Sequence, residues 1–112
     1  MSLPYSLAIL KGNILFISGQ LGVNENNELI SDDVLNQFKQ ALNNLEKILK
    51  EYNFEKKDIV KTTIYITDES YFNIINQEFI NYFSEHKPTR TTIIVKALPK
   101  NAKVEIEAIA IK

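Results

Sequence analysis

Cysteine is absent from the sequence, which excludes disulfides, thiolate metal sites and cysteine nucleophiles. His86 is the single histidine, and no Asp/Glu cluster at ligand spacing accompanies it, so no metal centre is expected. The net charge of −1 comes with no run of basic residues, and nothing suggests a surface that tracks nucleic-acid phosphates. No charged leader, long apolar stretch or cleavage site follows Met1. Neither a signal peptide nor a membrane span is expected, and the cytosol is the default compartment. Repeats, low-complexity tracts and Pro/Gly/Ser linkers are missing too. What remains is one domain over residues 1–112, with 45% hydrophobic and 24% charged residues, enough for a real core.

The clearest element is a helix. Ser31-Asp32-Asp33 offers an N-cap and an acidic start. Val34, Phe38, Ala41, Leu42, Leu45, Ile48, Leu49 and Tyr52 then recur at three- and four-residue spacing, leaving Lys47, Lys50 and Glu51 to water. Before it, Tyr5–Leu10 reads as an edge strand, Lys11-Gly12-Asn13 as a turn, and Ile14–Ile17 as a strand buried on both faces and stopped by Ser18-Gly19-Gln20. Residues 21–30 read as an Asn-rich loop with a short strand near its end. The β-branched run in Asp58–Ile66 favours another strand. Thr67 or Asp68 can cap a second helix carrying Phe72, Ile75, Phe79 and Phe83, which ends before Pro88. Final strands are expected near Thr91–Ala97 and Lys103–Ile111.

Arg90 is the only arginine among thirteen Lys and Arg residues. Guanidinium grips a carboxylate through two parallel hydrogen bonds, which ammonium cannot do. If Leu98-Pro99-Lys100-Asn101 turns the chain so that the last two strands pair, Glu105 comes near Arg90 as a possible proton acceptor. Two helices cover only one face of such a sheet. On the last strand, Val104, Ile106, Ala108 and Ala110 alternate with Glu105, Glu107, Ile109 and Ile111. Apolar side chains therefore remain on the uncovered face, and a second copy of the chain is the simplest cover.

Pro4-Tyr5-Ser6, Gly12-Asn13 leading into Ser18-Gly19-Gln20, and Gln40-Ala41-Leu42-Asn43-Asn44-Leu45 resemble the RidA (YjgF-like) enamine/imine deaminase family. So do Val60-Lys61-Thr62-Thr63-Ile64-Tyr65, Asn76, Pro88-Thr89-Arg90-Thr91 and the run from Leu98-Pro99-Lys100 to Val104-Glu105-Ile106-Glu107-Ala108-Ile109-Ala110. The match runs in order along essentially the entire chain. It implies a chorismate-mutase-like α+β domain, with a mixed six-stranded sheet, two helices on one face, and homotrimers with clefts between subunits. The implied activity is 2-iminobutanoate/2-iminopropanoate deamination: 2-imino acids released by pyridoxal-phosphate dehydratases become 2-oxo acids and ammonia, without a cofactor. Carried across residue by residue, Arg90 is the carboxylate clamp and Glu105 the water-positioning glutamate. Tyr5, Ser18, Gly19, Asn76 and Thr92 are substrate-binding. Thr92 stands where many members have cysteine, Leu7 where glutamine is frequent and Gly22 where proline is frequent; the segment before Pro4 is shorter than usual.

Each residue also has a plainer reading. Arg90 could be a surface ion-pair partner, and Glu105 a solvated strand residue, with Glu107 competing for the base. Tyr5 could be structural, Ser18-Gly19 a strand end, Asn76 a helix-surface or interface amide, and His86 a loop residue. The alternative functions are a non-catalytic small-carboxylate-binding or chaperone-like trimer, and an endoribonuclease or translation inhibitor. Near-neutral charge and a single histidine argue against the nuclease.

Overall fold

A computed structural model describes residues 3–112. Its elements, in chain order, are β1 (Ala8–Lys11), β2 (Ile14–Leu21), α1 (Val34–Glu51), β3 (Ile59–Ile66), α2 (Phe72–Phe83), β4 (Thr89–Ile94) and β5 (Val104–Ile111). The strands form one mixed sheet in the order β1-β2-β5-β3-β4. Only the β3–β4 pair is parallel, and α2 supplies the crossover that parallel neighbours require.

The apolar stripe expected from Val34 onward forms α1. Asp33 caps it, its carboxylate accepting from the Asn36 N–H at 3.0 Å. Phe38, Leu42, Leu45 and Leu49 are fully buried against Leu15, Ile64, Ile106 and Ile75, so both helices and one sheet face share a single core. The Tyr82 hydroxyl donates to Glu46 at 2.7 Å and ties α2 to α1. Burial, then that hydrogen bond and the charge of Glu46, push the phenol far above its ordinary range.

Gly12 (φ 60°) makes the β1–β2 turn. Lys11 pairs with Ile14, which leaves the two-residue, glycine-first loop that suits a twisted hairpin.

The sheet has five strands where six were expected. The short strand anticipated before Ile30 is reduced to one bridge, Val23 to Leu29. Asn24 explains the loss: its side-chain oxygen accepts from the N–H groups of Asn26 and Glu28, a local alternative to a strand ladder. The loop is pinned to α1 instead. Asn44 donates to the carbonyls of Leu21 and Val23, and buried Gln37 donates to Ser31 O and accepts from Lys103 N. Gly22 lies so close to α1 that a Cβ there would overlap the Gln37 backbone. Gly22→Ala is expected to cost about 1–3 kcal/mol, read as a lower urea midpoint at unchanged slope.

The last two strands do not pair. β3 lies between β4 and β5. The connection from Val95 to Lys103 crosses the end of β3, with Val95 N donating to Ile66 O and Thr67 N to Lys103 O. Burial chooses the order: Thr62, Ile64 and Ile66 gain a central position, while the more polar Thr89–Thr92 stretch takes the edge.

The run Ile14–Ile17 is buried on one face only. Leu15 and Ile17 reach the core, whereas Phe16 keeps 45% of its surface exposed. Ile9, Ile93 and Ile111 are also exposed. Alternation and register place them with Phe16 on the face away from the helices. An uncovered apolar sheet face is what the sequence pattern anticipated. Among the described residues, no helix is long and apolar enough to cross a membrane.

Candidate active site

The candidate residues fall into two groups. Arg90 sits at the edge of the sheet in β4, in register with Thr62, whose buried side chain faces the helices. Its Nη2 donates to Asn76 Oδ1 of α2 at 2.6 Å, and the guanidinium carbon stands 5.1 Å from the centre of the Phe79 ring. Partial burial lowers its proton affinity, yet a guanidinium stays charged at any physiological pH. Arg90 meets no carboxylate among the described residues, whose ion pairs are Lys50–Glu46 and Lys57–Glu55. Among the described residues, the ion-pair reading of this arginine therefore finds no partner. A neutral amide and an aromatic face orient the cation without neutralising it.

Thr92 follows two residues on and shares the helix-facing side of β4. Its Oγ1 is buried and finds no hydrogen-bond partner among the described residues. An unsatisfied buried hydroxyl is costly, and replacement by an apolar group of the same shape relieves that cost. Thr92→Val is expected to raise unfolding stability by about 1 kcal/mol, measured by chemical denaturation.

Glu105 lies on the opposite face. A bulge in β2 sets two residues, Ser18 and Gly19, between the paired positions Ile17–Ala108 and Gln20–Ile106. β2 thus continues to Leu21 through the Ser18-Gly19 pair that was expected to end it. The bulge brings Gly19 against the Glu105 carboxylate, which fills the space a Cβ would need. Burial first, and the negative charge of Glu107 second, push the Glu105 carboxyl above its usual range.

Ser18 Oγ donates to Ser6 O at 2.7 Å, tying the segment before β1 to the bulge. Beside it runs a shallow groove of 350 Å³ lined by Ser6, Ile9, Phe16, Ser18, Gly19 and Glu107. Tyr5 lies just outside β1 with 56% of its surface exposed. His86 lies in the connection after α2, as expected.

Sequence reasoning missed Tyr65. It is opposite Glu105 in the β3–β5 ladder, and its hydroxyl donates to Glu107 Oε1 at 2.9 Å. Alternation from Lys61 through Thr63 to Tyr65 was visible beforehand, but the identity of the facing strand was not.

The structure joins Arg90 to Asn76, and Glu105 to Gly19 and Tyr65. Within one chain it keeps Arg90 away from Glu105, on opposite faces and with β3 between their strands. The hairpin that would have joined them does not form.

A sequence profile of the family described as Endoribonuclease L-PSP matches residues 1–112. The human 2-iminobutanoate/2-iminopropanoate deaminase is 40% identical over 110 residues, 97% of this chain and 80% of its own length. A RutC family protein of Pyrococcus horikoshii is also 40% identical over 110 residues, covering 97% of this chain and 87% of that protein. The crystal structure of RidA from an Antarctic Psychrobacter superimposes with a TM-score of 0.94 at 36% identity, covering 100% of this chain and 91% of that one. Matched along its full length in both sequence and backbone, the chain belongs to the Endoribonuclease L-PSP family, the YjgF/RidA family.

Proposed function

We propose that this protein is a 2-iminobutanoate/2-iminopropanoate deaminase, hydrolysing small 2-imino acids to 2-oxo acids and ammonia. The observation that carries the reading is Arg90, a lone, partly buried guanidinium oriented by Asn76 and Phe79 with no carboxylate partner among the described residues. Such a group is suited to the carboxylate of a small acid. The deaminase name of the human relative at 40% identity agrees with it.

Because Arg90 and Glu105 lie on opposite faces of one sheet, a site using both takes Arg90 from one copy and Glu105 from another. The apolar face around Phe16, Ile9 and Ile111 gives the copies a reason to associate. A homotrimer with three such clefts is the assembly we assign, acting in the cytosol beside pyridoxal-phosphate dehydratases. In the cleft, Arg90 fixes the substrate plane through its carboxylate, a gain from orientation. Glu105 accepts a proton from water as the oxygen bonds to the C=N carbon. The C=N electron pair moves to nitrogen, which takes a proton from solvent. Collapse of the adduct to the ketone returns the hydroxyl proton to solvent and expels ammonia, which carries away the proton held by Glu105. Backbone groups at Gly19 and Thr92 bind the substrate's edges, with Tyr5 and Ser18 along the wall.

The test adds purified protein to a pyridoxal-phosphate threonine dehydratase in the presence of semicarbazide. Faster 2-oxobutyrate release with less semicarbazone is expected; equal trapping with and without protein refutes the reading. The description of the matched family favours one rival, an endoribonuclease. RNA cleavage by the same preparation that survives Arg90→Ala would favour that rival.

A further inference from the structure

Glu107 and Tyr65 have no part in the steps above, yet they build the surroundings of the assigned base. Along β5, Glu105 and Glu107 alternate with buried Val104, Ile106 and Ala108, so both carboxylates stand on the uncovered face about 7 Å apart along the strand. From β3, Tyr65 faces Glu105 in register and reaches diagonally to Glu107, donating its hydroxyl at 2.9 Å. From β2, Ser18 and Gly19 face this pair, and Leu21 is opposite Glu105; none of the three carries charge. Lys61 is the cation of β3 on this face, opposite Ile109 and one row beyond Glu107. It forms no ion pair among the described residues. Lys103, two residues before Glu105, donates its Nζ to Asp32 O instead. Within one chain, the charge that bears on Glu105 is therefore the negative one of Glu107, and the Tyr65 hydrogen bond keeps that carboxylate from turning away.

We infer that Glu107, anchored by the Tyr65 hydroxyl, is a positioning residue that makes Glu105 a stronger base toward the attacking water. A fixed like charge opposes ionisation of its neighbour, so the neighbour holds a proton more readily. A base whose proton affinity lies closer to the working pH removes the water proton with more driving force. The upward push on the Glu105 carboxyl from burial and from Glu107 agrees with this. Burial, the Glu107 hydrogen bond and the charges of both glutamates in turn hold the Tyr65 phenol protonated and able to donate.

The inference rests on the deaminase reading for the role of Glu105, so its test has one arm that does not. Carboxyl carbon shifts of Glu105 are followed by NMR against pH in the wild type, Glu107→Gln and Tyr65→Phe. Glu107→Gln is expected to lower the Glu105 midpoint. Tyr65→Phe, which removes only the hydroxyl and frees the Glu107 carboxylate to swing into water, is expected to lower it less. In the deaminase assay, the acidic limb of kcat/KM should move to lower pH by the same interval as each midpoint, with KM little changed. A merely structural role would not displace that limb. An unmoved midpoint in Glu107→Gln overturns the inference even where the wild type deaminates. A shift in Glu107→Gln with none in Tyr65→Phe removes the tyrosine from it. Absence of deaminase activity from the wild type defeats the reading beneath it.

Discussion

Arg90→Ala should lower kcat/KM for 2-imino acid hydrolysis by about 100-fold or more while leaving the fold intact. The guanidinium makes one hydrogen bond, to Asn76, and covers part of the Phe79 ring. Its removal costs one partly solvated contact, within about 1 kcal/mol of stability. What disappears is the paired grip on the substrate carboxylate, and with it the fixed plane that exposes the imine carbon to water. Arg90→Lys should not restore the rate. An ammonium offers a point charge, without the planar fork that Asn76 orients from one side. Steady-state kinetics on imine generated in situ, with denaturation curves for each variant, would check both halves. A lysine variant at wild-type efficiency would show that charge alone suffices, and the orientation argument would fall.

Glu105→Gln is expected to lower kcat by about 100- to 10,000-fold and to make the protein more stable at neutral pH. Glutamine keeps the size of the side chain against Gly19 but cannot take the water proton. The stability gain follows from the direction of the shift. Burial and Glu107 raise the Glu105 pKa in the folded protein above its ordinary value, so the folded chain holds this proton more tightly than the unfolded chain does. As pH climbs from the ordinary carboxylate range through the raised value, ionisation of Glu105 destabilises the native state. The variant escapes that cost. Its advantage should be present at neutral pH and vanish in acid, where both states are protonated. Urea denaturation of the two proteins at acid and neutral pH measures the gap. A variant less stable than the wild type at neutral pH would contradict the sign. The same mutant separates a catalyst from a simple carboxylate binder, because a binder would keep its full function without Glu105.

Much of this architecture was legible beforehand because its signals are local. The three-and-four spacing from Val34 to Leu49, the Asp33 cap and the β-branched Ile59–Ile66 run each act within one element. The apolar residues left on both parities of β5 forecast an uncovered face. Short motifs in order along the chain, from Pro4-Tyr5-Ser6 to Val104-Glu105-Ile106-Glu107, carried the family resemblance. Strand order, by contrast, is a competition among distant segments for the buried positions, and no periodicity within a strand records who wins it. β3 won the place beside β5, which turned an expected contact between Arg90 and Glu105 into a separation across the sheet. The bulge that lodges Glu105 against Gly19, and the diagonal reach of Tyr65 to Glu107, depend on cross-strand register in the same way. Residue types and helix faces were determined by the sequence alone. Which carboxylate meets which neighbour was decided by long-range pairing, because burying Thr62, Ile64 and Ile66 outweighs keeping consecutive strands together.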